Sequence, residues 1–389
     1  MKISVLGAGA VGSAIACDLV GREAVTHVQV CDNRSGRLRA LAEHLRSPKL
    51  RTVRVDVRDD RALAPVLAGS ACVVGSVDGA LNPKLAAVAL ESGAHFCDLG
   101  GDSRTVAQEL ALAPEAKRRA RWVVPNCGLA PGLVNLLVMR GVDQFEEVEG
   151  VTIRVGNIPI EAGPPFFHRF GYTAERLVEG YTAPVEIIRD GRITHVAPLT
   201  GLEEDAFPAP FGRLEAFYTA GKLSTLPQDL AGRVDCLDYK TLRHPGHAAA
   251  MQAVLALGFG VHKSVDVRTH LTYRDLLVRS LRRNLTGSDY RDAALVRIVV
   301  EGRRSGEGCT LTYEMVDRYD EEADLTAMQR STSFPAASIA FLLASGAVAG
   351  GGASPPEHVI PKEPFFADLA ARGLSIAERW DEVPEAVDA

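Results

Sequence analysis

At 389 residues the chain is long enough for two domains, or for one domain with a large insertion, each burying a sizeable core. Its 47% hydrophobic and 24% charged residues are ordinary for a globular protein, and a net charge of −6 gives no electrostatic case for nucleic acid or an anionic membrane. Seven cysteines lie scattered without C-x-x-C pairs or zinc spacing, which implies reduced thiols, a cytoplasmic setting and no metal site.

The chain opens on Met1-Lys-Ile-Ser-Val-Leu-Gly-Ala-Gly-Ala-Val-Gly12, which leaves no room for a signal peptide. The apolar run Ile3–Leu6 reads as a buried strand, and Val11, Ile15, Ala16 and Leu19 carry the helical spacing that follows. Between them Gly7, Gly9 and Gly12 form G-x-G-x-x-G. Gly7 suits a tight turn, Gly9 lets a pyrophosphate reach the backbone, and Gly12 lets helix and strand pack closely. The free N–H groups of the first helical turn, at Ala10 and Val11, would hold the phosphates. The next strand, Val28–Cys31, ends in Asp32, twenty residues beyond Gly12, where an acidic side chain meets the adenosine ribose. Asp32 therefore favours NAD over NADP, although Asn33-Arg34 beside it offers an arginine to a 2′-phosphate.

Arg37–Leu45 has helical spacing, Thr52–Asp56 alternates as a strand, and Asp59 suits the cap of a helix from Arg61. Ala71–Gly75, His95–Asp98 and Trp122–Pro125 are further strands. Helices follow over Pro83–Ser92 and Val106–Arg119. This alternation predicts an α/β Rossmann domain with a doubly wound parallel sheet. Ligands of such sheets sit beyond the carboxyl ends of the strands, which selects Gly75-Ser76-Val77, Asp98–Gly101 and Asn126-Cys127-Gly128. Asp56 joins the cofactor set at the end of its strand. Asp98 is open between a base, an ammonium partner and a loop brace. Cys127 is a nucleophile by type, but a buried inert thiol is the commoner case.

Beyond residue 130 the pattern changes. Val151, Ile153 and Val155 alternate as in a half-exposed antiparallel strand, and Pro and Gly are dense from Asn157 to Phe217. Short strands at Val185–Ile188 and Ile193–Val196, helices at Ala248–Leu257 and Arg274–Leu285, and strands at Leu295–Val300 and Thr310–Val316 indicate an α+β second domain with a largely antiparallel sheet. Lys240-Thr-Leu-Arg-His-Pro-Gly-His247 concentrates polar groups. Arg243 offers a bidentate grip on a carboxylate, and His244 and His247 are able to titrate near neutrality. A polar turn before a helix explains the same residues. Ser338–Ala349 is too short to span a bilayer and reads as a core helix, and Thr332–Ala349 as a whole is expected to return to the first domain and close it. Gly350–Gly352 with Pro355-Pro356 reads as a hinge-like loop, and the acidic end after Trp380 as mobile.

Gly7 to Asp32, Asp98-Leu-Gly-Gly101 and Asn126-Cys-Gly-Leu-Ala-Pro-Gly-Leu-Val-Asn135 resemble the saccharopine dehydrogenase-like superfamily. Gly156–Pro159, Tyr181–Pro184, Leu214-Glu-Ala-Phe217 and Leu242-Arg-His-Pro-Gly-His247 are most similar to its lysine 6-dehydrogenases. The resemblance spans nearly the whole chain, to Pro355-Pro-Glu357 and Phe365–Leu374. With the apolar Thr332–Ala349 run returned to the first domain, the expected organisation is a discontinuous dinucleotide domain, 1–130 with 330–389, and a substrate and dimerisation domain, 131–329. The implied reaction is NAD-dependent oxidative deamination of the lysine 6-amino group to 2-aminoadipate 6-semialdehyde, which cyclises. It also implies that Arg243 holds the α-carboxylate, that His247 or Asp98 moves a proton, and that Glu215 holds an ammonium group or orients the histidine. His244, Lys240 and Asn126 complete the expected substrate set, and a homodimer is the expected assembly. Alternatives are a reductase joining an aldehyde to an amino acid, and a non-catalytic NAD-binding protein.

Overall fold

The computed structural model describes residues 1–161, 163–169, 173–285 and 290–382. In its first stretch, short apolar runs become strands buried on both faces, and amphipathic runs become the helices that cover them. The order is β1 Lys2–Leu6, α1 Ala10–Val20, β2 His27–Asp32, α2 Ser35–Leu45, β3 Leu50–Arg54, α3 Asp60–Leu67, β4 Cys72–Gly75, α4 Asn82–Glu91 and β5 His95–Asp98. Asp59 caps α3 through the N–H groups of Arg61 and Ala62, and Pro83 sits in the first turn of α4. The helix expected over Val106–Arg119 is two, α5 Ser103–Leu110 and α6 Ala113–Arg118. Pro114 opens the second, since it lacks the N–H and the room to continue the first. β6 Trp122–Val124 and α7 Leu133–Val142 follow.

The chain then builds β7 Glu147–Pro159, α8 Ala174–Gly180, β8 Val185–Arg189, β9 Arg192–Val196, β10 Glu203–Phe207, β11 Gly212–Tyr218 and α9 Leu226–Leu230. β12 Val234–Arg243, α10 His247–Val254, α11 Tyr273–Leu285, β13 Asp292–Arg304 and β14 Glu307–Arg318 complete that run. Last come α12 Ala327–Ala344, β15 Gly352–Ala353, α13 Pro356–Val359, α14 Lys362–Ala371 and β16 Ala377–Glu382. Among the described residues no helix is long and apolar enough to cross a membrane.

Two compact units result. The first, Met1–Arg140 with Gln329–Leu374, holds a seven-stranded parallel sheet in the order β15-β6-β5-β4-β1-β2-β3. The order reverses between β1 and β4, the switch point where doubly wound sheets bind ligands. Its C-terminal helices close on α1 through buried charges. The Arg22 guanidinium reaches both oxygens of Asp368 on α14, at 3.0 and 2.9 Å, Asp18 on α1 at 2.8 Å and Ser338 on α12 at 3.2 Å. Gly352 and Ala353, expected in a hinge-like loop, pair in parallel with β6 and extend the sheet.

The second unit centres on a nine-stranded mixed sheet, β10-β11-β12-β7-β13-β14-β16, with the β8–β9 hairpin attached to β12. Its pairings are antiparallel except β12 with β7. β7 corrects the expectation of a half-exposed strand: it lies mid-sheet between β12 and β13 and is buried from Ile153 to Pro159. The tail differs as well. β16, expected within the first domain with a mobile end only after Trp380, pairs with β14 in this sheet, and Trp380 stacks on Phe145 at 5.4 Å. Residues 383–389 of that tail lie outside the described residues.

Candidate functional site

In the first unit the turn from β1 into α1 builds a cradle of backbone. Gly7 has φ +107°, a conformation that side chains rarely adopt, and its N–H bonds the Cys31 carbonyl at 2.7 Å. A Cβ on Gly12 would collide with the Gly7 carbonyl oxygen, so only glycine lets α1 start this close to β1. A Cβ on Gly9 would meet nothing within 4 Å. That open space lies at the start of α1, whose first N–H groups, at Ala10, Val11 and Gly12, have no acceptor within the helix. A diphosphate fits this arrangement of donors and bare backbone.

A cavity of about 370 Å³ continues from it, lined among others by Gly7, Gly9, Asp32, Asn33, Asp56 and Ser76. Asp32 is fixed by two backbone donors, Ala8 N–H at 2.8 Å and Arg34 N–H at 2.7 Å. Three arginines, Arg34, Arg37 and Arg58, line the same cavity. Arg37 leans towards Asp32 at 3.9 Å, and Arg58 pairs with Asp56 at 2.6 Å. That pairing pulls the Asp56 carboxyl down to about 2. The cavity thus presents both a ribose acceptor and cations suited to a phosphate. Of the three, Arg34 is the one expected beside Asp32; the fold adds Arg37 and Arg58.

At the carboxyl ends of β4 and β5 the backbone is tightly drawn. Gly75 has Phe96, Asn82 and Asp98 within 3.2 Å of where a Cβ would stand. Asp98 is fully buried, and its Oδ1 accepts Gly100 N–H at 2.5 Å and Asn126 N–H at 3.4 Å. Asn126 holds φ +64°, which asparagine tolerates better than most residues. The bracing role of Asp98 is therefore present, and it leaves the carboxylate at the strand end. Cys127 is fully buried, with Sγ 3.2 Å from the Val124 carbonyl, and burial pushes its thiol well above the ordinary range. The expected inert thiol describes it, not a nucleophile.

The second unit gathers a different kind of site, made of side chains. β12 runs to Arg243, so its residues alternate between two faces of the sheet. Arg243 is 2% exposed and stands opposite Glu215 of β11 in the pairing register. His247, fully buried at the start of α10, hydrogen-bonds through Nε2 to the Tyr181 hydroxyl at 2.8 Å. Its Nδ1 donates to the Phe166 carbonyl at 2.6 Å. The carbonyl only accepts, so the neutral ring carries its proton on Nδ1 and Nε2 accepts from Tyr181. Phe217 stacks on the ring and His168 meets it edge-on at 5.3 Å.

Charge in this cluster is shaped by burial and by Arg243. Burial, then the Arg243 guanidinium, lower His247 to about 3, and the same two causes hold His168 well below its ordinary value. Lys222 is brought down to about 8 by burial, then by Arg243 and Arg176. His247 thus does not titrate near neutrality, contrary to expectation. No motif marks His168 or Lys222, and Tyr181 stands out only as the start of the Tyr181–Pro184 stretch of the resemblance; the three lie on separate segments.

Two other expectations are corrected. Lys240, three residues before Arg243 on a strand, points to the opposite face. There it reaches Glu203 at 2.5 Å and lies over the Tyr218 ring, in a network where Arg154 also bonds Glu203 and Asp238. Glu215 does not orient His247 through its ring. Its two oxygens accept Gly246 N–H at 2.9 Å and Ala248 N–H at 2.5 Å, bracing the turn into α10. His244 bonds the Pro159 carbonyl through Nε2 at 3.0 Å.

Comparison with known proteins gives concordant results. The family model described as the saccharopine dehydrogenase NADP binding domain matches residues 3–126, and that of the saccharopine dehydrogenase C-terminal domain matches residues 128–374. Among solved structures the chain is similar to apo saccharopine dehydrogenase (L-Glu forming) from Saccharomyces cerevisiae. The identity is 17%, the TM-score 0.79, and the match covers 98% of this chain and 99% of that one. It is also similar to homospermidine synthase from Legionella pneumophila in complex with NAD, at 12% identity and TM-score 0.72, covering 100% and 95%. At these identities the structural likeness speaks for the fold.

Proposed function

The chain belongs to the saccharopine dehydrogenase family of NAD(P)-dependent oxidoreductases acting on amino groups, and from that premise we propose that it oxidatively deaminates the side-chain amine of L-lysine with NAD. The observation that carries this reading is the buried cationic cluster around Arg243. An amino-acid substrate brings an α-carboxylate that loses water on binding, and a buried guanidinium supplies two parallel donors for it. The same positive charge disfavours an ammonium nearby. It therefore favours the neutral amine, the form from which hydride can leave, against a free-lysine pKa of about 10.4.

Gly9, the first turn of α1 and Asp32 hold the dinucleotide in this reading, and the bound nicotinamide supplies the hydride acceptor. Asp98 takes up a proton at the end of β5. Lys222, lowered to about 8, is a second group able to do so in mildly alkaline solution. Tyr181 and His247 keep each other in one tautomeric order, so His247 fixes the Tyr181 hydroxyl instead of acting as the base. Asp32 favours the unphosphorylated ribose, and the arginines of the same cavity favour NADP as the second reading. A homodimer remains part of the proposal and is read from sedimentation of the intact chain.

The aldehyde-joining reductase is the rival chemistry, with additional carboxylates to bind. A screen of NAD and NADP reduction across free amino acids tests the proposal, with product trapped as the cyclic imine. Reduction with lysine alone supports it. Turnover only with aldehyde plus amine would transfer the chain to the rival, and silence with both would leave a binding protein.

A further inference from the structure

α12 runs against the cradle of the first unit, from a part of the chain that the glycine fingerprint does not reach. Gln329, Thr332 and Ser333 lie three and four residues apart, so one face of the helix carries all three. That face meets the start of α1. The Gln329 amide donates to the Ala10 carbonyl at 3.3 Å, and the Ser333 hydroxyl donates to the Val11 carbonyl at 3.1 Å. Ala10 and Val11 are the residues whose own N–H groups open the diphosphate cradle. Thr332 stands in the same turn as these two anchors. Its methyl carbon, Cγ2, lies 3.5 Å from where a Cβ on Gly128 would stand, in the loop after β6. The turn that carries Thr332 is thus held both to α1 and to the carboxyl end of β6.

The hydroxyl of Thr332 is out of keeping with this place. A threonine inside a helix ordinarily turns its hydroxyl back to a carbonyl of the preceding turn. Thr332 Oγ1 is buried, yet among the described residues nothing bonds it. Burying a hydroxyl so is costly, and the cost calls for a partner that the protein itself does not supply. The sheet order says which partner. Asp32 after β2 and Asp56 after β3 line the cavity on the adenosine side of the switch point, and Gly128 follows β6 on the other side. A dinucleotide laid across that point has its diphosphate at α1 and its nicotinamide half towards β4, β5 and β6.

We propose that Thr332 is a cofactor-binding residue, its hydroxyl donating to an oxygen of the nicotinamide nucleotide half, with Gln329 and Ser333 anchoring its turn of α12 to the cradle. The sequence marks Thr332 only as the start of an apolar closing run, since its partners lie more than two hundred residues away. The proposal rests on the cradle of the first unit holding a dinucleotide, and not on lysine as the substrate.

Fluorescence titrations of the full-length protein with NADH and NADPH, and competition by ADP, test it without turnover. Thr332→Val keeps the branched shape and the contact at Gly128 and removes only the hydroxyl. Affinity for the reduced dinucleotide should fall about five- to tenfold, the worth of one hydrogen bond. ADP lacks the nicotinamide half and should compete as it does with the wild type. Thr332→Ser keeps the hydroxyl and should return affinity to within about twofold of the wild type. The valine variant gives up no bond within the described protein, so its thermal midpoint without cofactor should hold. Unchanged dinucleotide affinity in Thr332→Val, with or without a lowered midpoint, leaves Thr332 a packing residue and overturns the proposal. So does a serine variant as weak as the valine one, or an equal loss for ADP, which would set the hydroxyl at the diphosphate. A wild type that binds neither NADH nor NADPH sinks the reading of the cradle and the proposal together, whereas a wild type that binds beside an unaffected valine variant sinks the proposal alone.

Discussion

The two units hold sites of opposite construction. The cradle of the first is backbone, with N–H groups at a helix start, bare Cα atoms and a carboxylate pinned by two amides. The cluster of the second is side chain, its histidines kept neutral by burial and by one guanidinium, and its lysine lowered by the same causes. A backbone site depends on the shape of the chain, so it fails when a side chain is added. A side-chain site depends on charge, so it fails when one is exchanged.

The largest effect should come from adding a methyl group to the cradle. Gly12→Ala drives Cβ into the Gly7 carbonyl oxygen and should cost about 3 kcal/mol of stability, with dinucleotide binding lost alongside. Gly9→Ala meets no protein atom within 4 Å and has an ordinary φ of −78°, so the thermal midpoint should hold. Its methyl group takes up room where a pyrophosphate would approach, and affinity should fall tenfold or more, about 1.4 kcal/mol. Thermal melts beside fluorescence titrations with NADH separate the two. If both variants lose only affinity, the packing role of Gly12 is wrong.

Exchange of charge is the counterpart in the second unit. Arg243→Lys keeps the charge and loses the fork. Lysine binding should weaken by about thirty-fold to several thousand-fold, the cost of breaking one partner of a buried charged pair, while NAD affinity and thermal midpoint barely move. Lost stability with a normal KM would mean that Arg243 braces the strand end.

His247 sharpens the comparison through pH. Folded, it binds its proton only near pH 3, against an ordinary histidine value of 6.5, so between these values the unfolded chain alone takes one up. Stability should therefore fall as pH drops through that window, by about 1.4 kcal/mol per unit, and gain nothing above it. His168 acts with the same sign. Melts of His247→Gln should show a shallower loss than the wild type from pH 6.5 downwards. Parallel curves would mean that His247 is charged when folded.

The same contrast explains what the sequence disclosed. Gly7 to Asp32 is legible because the whole cradle is local: turn, helix start and acidic residue fall within one strand–helix–strand unit. Alternation of strands and helices likewise announces the first sheet. The second unit's cluster assembles from Phe166 in a turn, Tyr181 at the end of α8, Lys222 in a loop, Arg243 at the end of β12 and His247 at the start of α10, and no spacing encodes that. Lys240–His247 looked like one polar turn because its apolar positions are too few to reveal that β12 continues to Arg243. The edge strand Gly352–Ala353 is two residues long, below what periodicity can register.

Lys240 carries the smallest expected effect and the cleanest check on that alternation. If β12 is a strand through Arg243, residues 240 and 243 occupy opposite faces, and no local adjustment brings both to one ligand. Lys240 then belongs to the Glu203, Arg154 and Asp238 network and to the face of Tyr218. Lys240→Met keeps the stem against the ring and removes the ammonium. Glu203 stays partly solvated, with Arg154 still bonded at 2.6 Å, so the loss should be only about 1 kcal/mol. KM for lysine should stay within about twofold, well under a single hydrogen bond to a charged group. A rise in KM like that of Arg243→Lys would return Lys240 to the substrate site, and with it the assignment of faces along β12 would have to be reversed.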